Sequence, residues 1–170
     1  GAAPVAIGYG QTTTGAISVP AEQDSFTFAG SSGESILLRL VEQASDWNPQ
    51  VRIYGPGGAL LTGTWGYSLV DLNAIVLTAT GTHTIVVNDL GGTGTGGYAV
   101  HLQRLSGPAG ATGIAYGQPQ SGTVTQAVET RAYTFSGTVG DVVLGRVMEL
   151  ASGFYPQVRL YGPTGQQLAT

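Results

Sequence analysis

The octapeptide PQVRIYGP at residues 49–56 returns as PQVRLYGP at 156–163, and this recurrence constrains the fold more than any other feature of the chain. Displacing the sequence by 107 positions lays IGYGQTTTGAI (7–17) on IAYGQPQSGTV (114–124). It also lays FTFAGSSGE (26–34) on YTFSGTVGD (133–141), and RLVEQAS (39–45) on RVMELAS (146–152). From Ile7 to Leu61 about 24 of roughly 55 positions match without a gap, which marks an internal duplication. The 170 residues divide into a complete repeat, 1–106, and a second repeat, 107–170, joined through the Gly/Pro-rich stretch SGPAGATG at 106–113. Thr170 falls on Gly63, so the second repeat contains no counterpart of residues 64–106.

Each unit reads as β-structure. SFTFAG, SILLRLVE, PQVRIYG, NAIVLTATG, HTIVVND and GYAVHLQRL are short runs rich in β-branched and aromatic residues, separated by Gly, Pro, Asn and Asp. No segment sustains a 3.6-residue apolar period, and 28 glycines disfavour long helices. With weaker strands near 15–20 and 60–69, a complete repeat holds about eight strands, the count of a two-sheet sandwich. The expected fold is all-β: tandem antiparallel β-sandwich repeats of jelly-roll or Ig-like type, the second incomplete.

Composition narrows the function classes. Only 9% of residues are charged, against roughly 25% in ordinary soluble proteins. All six basic residues are Arg, and net charge is −4 with no basic stripe, which argues against nucleic acid as a partner. Without cysteine there is no disulfide, thiolate nucleophile or Cys-bound metal. No apolar run approaches the roughly 18 residues of a membrane helix, and the opening GAAPVA is read as a mature terminus or a linker.

The order G-x-I at 15–17, DSFTF at 24–28, a Gly-acid turn at 33–34, NPQVRIYGPGG at 48–58, TGTHTIVV at 80–87 and GGYAVHL at 96–102 resembles the bacterial pre-peptidase C-terminal domain. The resemblance covers the whole first repeat and the part of the second that is present. It implies a secreted, non-catalytic β-sandwich of the kind appended to extracellular peptidases. Some members of that family bind calcium or insoluble protein polymers.

Residues that could carry chemistry are few. A Ser-His-acid triad needs a histidine in reach of both partners, and His83 and His101 have no counterparts in the second repeat. His101 alternates with Val100 and Leu102 and is expected to face solvent. GYSLV at 66–70 lacks the second glycine of a nucleophile elbow. GGTGTGG at 91–97 imitates a phosphate loop, but it lies between strands and reads as a flexible hairpin connection. Calcium needs six to eight oxygen ligands. The close oxygen-rich pairs are Asp46 with Asn48 and Asp71 with Asn73, and turn capping accounts for them without a metal. The expectation is no catalytic residue, no cofactor and no metal, calcium being the one candidate that the resemblance raises.

Three charges persist in both repeats: Arg39, Glu42 and Arg52 recur as Arg146, Glu149 and Arg159. They are expected to form one cross-strand cluster per repeat. Within the octapeptide Val51 and Ile53 point to the core, and Gln50 and Arg52 point away from it. Turn geometry explains the identity at 54–58 but not the retention of Gln50 and Arg52 as Gln157 and Arg159. The eight residues Arg39, Glu42, Gln50, Arg52, Arg146, Glu149, Gln157 and Arg159 are therefore the candidate contact surface.

Two functions fit these observations. One is a non-catalytic extracellular or cell-surface structural protein, a segment of a fibre, filament or stalk that self-associates head-to-tail. The other is an accessory substrate- or matrix-binding module of a secreted peptidase or other hydrolase. The second repeat, lacking three strands, is expected to leave Phe135, Val143, Val147, Val158 and Leu160 uncovered until continuation of the chain or a neighbouring chain supplies them.

Overall fold

A computed structural model describes residues 3–43, 47–150, 153 and 155–170. Nine strands build the first repeat: β1 (Val5–Ala6), β2 (Gln11–Ile17), β3 (Gln23–Gly30), β4 (Ser35–Glu42), β5 (Pro49–Tyr54), β6 (Leu60–Trp65), β7 (Leu69–Val76), β8 (Gly81–Asp89) and β9 (Gly96–Arg104). They form two sheets, one in the order β1-β3-β8-β5-β6 and the other β2-β9-β4-β7. Apart from the short parallel β1–β3 pair, every neighbour is antiparallel. The protein is an all-β sandwich.

The period-2 alternation decides which residues meet between the sheets. Phe26, Phe28, Val51, Ile53, Ile85 and Val87 face inward from one sheet, and Ile17, Ile36, Leu38, Leu40, Val70, Leu72, Val100 and Leu102 from the other. Tyr98 is the largest of the fully buried side chains. Its hydroxyl donates to Asp24 Oδ2 at 2.6 Å, which satisfies a phenol that burial would otherwise penalise. Tyr98 also explains the glycine of G-x-I, because a Cβ on Gly15 would collide with its hydroxyl.

Two connections differ from the sequence reading. NAIVLTATG is strand only to Val76. Leu77 is buried, and its N–H donates to the Glu34 carbonyl, ending the strand as a turn. The GGTGTGG segment joins β8 of one sheet to β9 of the other, so it is a crossover between layers and not a hairpin. Nor is it loose. The Asp89 carboxylate accepts from Asn48 N–H at Oδ1 and from the Thr93 and Gly94 N–H groups at Oδ2, each at 2.9 Å.

Beyond residue 106 local geometry repeats with the same spacing of 107. β10 (Thr112–Gly113) pairs with β11 (Tyr133–Thr134) in the register of β1 and β3. The Glu22 carboxylate caps the N–H groups of Ser18 and Val19, and Glu129 caps those of Thr125 and Gln126. Both turns hold a non-glycine residue at φ 62°, Ala21 and Val128. The hairpin of β12 (Leu160–Tyr161) and β13 (Gln167–Ala169) reproduces the β5–β6 hairpin, including its bulge.

Longer-range strands do not repeat. Residues 142–149, aligned with β4, form no strand, and Leu144 and Met148 are 79% and 76% exposed. The reason is pairing. β4 is hydrogen-bonded on both sides, to β7 and to β9, and residues 107–170 contain no counterpart of either. An extended segment without neighbours leaves its backbone groups to water and gains nothing from its side chains.

Candidate contact surface

The expected cluster of Arg39, Glu42 and Arg52 is not formed. Arg39 stands on the outer face of β4 and Arg52 on the outer face of β5, and these strands belong to opposite sheets. Their guanidinium groups therefore emerge on opposite sides of the sandwich. Glu42 is three residues from Arg39, and along a strand an odd spacing places two side chains on opposite faces. That geometry alone excludes the pairing.

Each arginine has another partner. Arg52 Nη2 donates to Asn88 Oδ1 at 2.9 Å, and Asn88 Nδ2 donates to Gln50 Oε1 at 3.2 Å. Gln50, Asn88 and Arg52 thus make a polar ladder across β5 and β8, on the face opposite buried Val51 and Ile53. Arg39 Nε lies 3.4 Å from Asp71 Oδ2 on β7.

Asp71 is the centre of the contact: the sequence reading assigned it, with Asn73, to turn capping, but both stand within strand β7. Besides Arg39, Asp71 accepts a two-pronged hydrogen bond from Arg159 of the second repeat, Nη1 to Oδ1 at 3.0 Å and Nη2 to Oδ2 at 2.6 Å. This fork geometry is the strongest form of guanidinium–carboxylate contact. The hydrogen bond to Asp71 raises the Arg159 pKa above its ordinary value. Two residues on, the Tyr161 hydroxyl donates to Asn73 Oδ1 at 2.5 Å, and Asn73 Nδ2 donates to Gln167 Oε1. Arg159 and Tyr161 match Asp71 and Asn73 at i and i+2 on both segments, so one face of each contributes. Asp71 and Asn73 are thereby engaged by side chains of the second repeat. The other oxygen-rich pair includes Asp46, which lies outside the described residues.

The docking extends along the four-stranded sheet. Ser35 Oγ donates to the Gly165 carbonyl at 3.1 Å. A Cβ on Gly165 would stand 2.6 Å from Ser35 Cβ and 3.0 Å from Leu105 Cβ. Its counterpart in the first repeat, Gly58, has nothing within 4 Å of such a Cβ.

His101 is buried, contrary to expectation. It points away from the sandwich core, as alternation requires, but the turn at 125–130 covers that face. Nδ1 lies 2.8 Å from Thr12 Oγ1 and Nε2 lies 2.7 Å from Thr130 Oγ1. Burial pushes its imidazole pKa down to about 4, with Arg39 reinforcing and Glu129 opposing the shift. His101 is therefore neutral near pH 7, one nitrogen donating and the other accepting. His83 is also buried. It stacks on Phe28 with ring centroids 5.1 Å apart, and its Nδ1 lies 3.1 Å from the Gly81 carbonyl oxygen. Among the described residues neither imidazole has a carboxylate hydrogen-bonded to it.

Four of the sequence-selected residues play other parts or none. The outward face of β4 holds Arg39 but not Glu42, and Arg146, Glu149 and Gln157 are exposed without strand partners. A shallow depression of about 500 Å³ lies against Trp47, Tyr67 and Asp89. The Asp89 carboxylate there is committed to backbone N–H groups. Although burial pushes its pKa up, hydrogen bonds from Gly94, Asn48 and Thr93 outweigh that and hold it below the usual carboxylate value. No group of three or more His, Cys, Asp or Glu side chains placed to hold a metal occurs among the described residues.

No protein-family model matches the sequence, and neither does any curated protein. Among solved structures the chain is similar to the pre-peptidase C-terminal domain of a collagenase from Bacillus anthracis, at 17% identity and a TM-score of 0.45, over 59% of this chain and 95% of that one. It is also similar to a periplasmic inhibitor of g-type lysozyme from Aeromonas hydrophila, at 13% identity and a TM-score of 0.41, over 59% of this chain and 100% of that one. The domain named first is the kind that the motifs of residues 15–102 resemble.

Proposed function

We propose that the chain is a non-catalytic extracellular structural protein, a segment of a fibre, filament or surface stalk in which sandwich repeats dock head-to-tail. One observation carries this reading: the repeated octapeptide of the second unit grips the outer sheet of the first through Arg159 on Asp71 and Tyr161 on Asn73. A contact that joins unlike surfaces of like units is heterologous, and where its rotation does not close into a ring it builds an open array. The engagement of both histidines in packing agrees with a role without chemistry. Electron microscopy of the native, full-length material tests the reading. Filaments with a regular axial repeat are expected, and isolated particles at all concentrations would overturn it.

A specific feature favours the second reading, an accessory substrate- or matrix-binding module. Trp65 and Tyr67 form an exposed edge-to-face pair with centroids 5.4 Å apart, beside the depression at Asp89. Exposed aromatic side chains of this kind are frequent binding anchors. Co-sedimentation with insoluble protein polymers separates the two: under this reading the polymer increases the pelleted fraction and Trp65→Ala abolishes the increase, and under the structural reading the polymer adds nothing to what pellets without it.

A further inference from the structure

The docked octapeptide has an undocked twin. Arg52, Tyr54 and Gly58 of the first repeat are the counterparts of Arg159, Tyr161 and Gly165. The latter three sit on Asp71, Asn73 and Ser35. The former three project from β5 and its turn on the opposite side of the sandwich. Among the described residues Arg52 has no ion pair, whereas Arg39, Arg104, Arg131 and Arg159 all have one, and its Nε is buried without a hydrogen-bond partner. Gly58 faces open space, where Gly165 is packed against Ser35 and Leu105.

We propose that the β5 face carrying Arg52 and Tyr54 is a docking surface for the β7 strand of a second copy of this chain, with Arg52 on the partner's Asp71 and Tyr54 on the partner's Asn73. The inference rests on the head-to-tail reading above and supplies its contact residues. Charge complementarity and the side-chain spacing come from the contact already formed once within the chain. The spacing is the same because both donors lie at i and i+2 of one strand and both acceptors at i and i+2 of another. In the isolated chain the acceptor is occupied by its own Arg159, so the second repeat acts as a plug on assembly. An Arg52 from outside must displace that plug or meet a chain in which it is already seated elsewhere.

The test uses the full chain. Arg159→Glu sets a carboxylate against Asp71 and should release the plug, and sedimentation should then show the monomer shifting to oligomers. Adding Arg52→Ala to that variant should return it to monomer, weakening association by about tenfold or more because a charge-assisted fork is lost. Residues 1–106 provide the second measurement, since both sheets and every core residue lie within 5–104. This fragment has donor and acceptor both free, and it should self-associate unless Arg52 or Asp71 is replaced. A monomeric fragment, or association unmoved by Arg52→Ala, would overturn the proposal. Native filaments that persist with Arg52 replaced would overturn it too while leaving the structural reading intact.

Discussion

Ile53 and Leu160 occupy the same place in the same octapeptide, yet Ile53 is wholly buried between two sheets and Leu160 is only partly covered. Both hairpins form, with the same bulge and the same closing hydrogen bond from the Gly55 or Gly162 N–H, 2.9 Å in each. The difference between the two units is thus one of partners, not of local sequence. Turns and hairpins close within about ten residues and need only their own Gly, Pro and carboxylate caps. An inner sandwich strand such as β4 needs two neighbours and an opposing sheet, and pairing in the first repeat reaches residues more than 80 positions away, as between Gln11 of β2 and Leu102 of β9.

The comparison breaks most visibly under core truncation. Ile53→Ala should destabilise the first repeat by about 2–5 kcal/mol, because the cavity lies in a closed interface. Leu160→Ala should cost less than about 1 kcal/mol, since water already reaches that site. Urea denaturation of both variants measures the pair, and equal losses would contradict the partner argument.

Acid should separate the two units before it unfolds either. His101 binds its proton near pH 6.5 when exposed and near pH 4 when covered. Between those values the uncovered state holds more protons, so stability falls as pH drops from about 6.5 to 4 and is complete above that window. The whole shift corresponds to about 3 kcal/mol. Release of residues 125–130 would expose the imidazole and limit the loss to the free energy of docking. Protection of residues 125–134 from hydrogen exchange, corrected for the intrinsic pH dependence of exchange, should fall toward pH 4 in the parent and not in His101→Gln. Glu34 and Asp89 titrate below the usual carboxylate value, so they contribute at the acid end of this range or beneath it.

The smallest effect sharpens the comparison further. Gly58 and Gly165 both have positive φ, 78° and 84°, so alanine at either costs about 1 kcal/mol of backbone strain. Gly165→Ala also drives a methyl against Ser35 and Leu105. It should therefore weaken docking as well as the turn, while Gly58→Ala affects the turn alone. Thermal melts of the two variants, with exchange at 159–167 as the docking probe, distinguish them.

Much of this was legible in the sequence. The duplication, the all-β class, the inward Val51 and Ile53, and the turn after Tyr54 follow from period and turn chemistry. The retention argument for contact residues was only partly sound. It selected Arg52 and Arg159 but grouped Arg39 with Glu42, although spacing by three puts them on opposite faces. It passed over Asp71 and Asn73 because the second repeat has no counterpart of that strand, and a rule based on persistence cannot see a site that exists once. The D-x-N spacing was noted but read as turn capping; within a strand the same spacing places both side chains on one face.

Sequence alone determined what is decided within a few residues: which positions alternate inward, as Val51 and Ile53 do, and where the turn after Tyr54 falls. Tertiary structure decided what depends on residues far apart in the chain. It put β4 and β5 in opposite sheets, so that Arg39 and Arg52 never meet. It also covered the outward His101 with a turn from the other repeat. Alternation fixes a side chain's face, because successive Cβ atoms must point to opposite sides of a strand. What covers that face depends on which segments gain enough by packing there to offset the entropy of ordering them, and no local pattern records that balance.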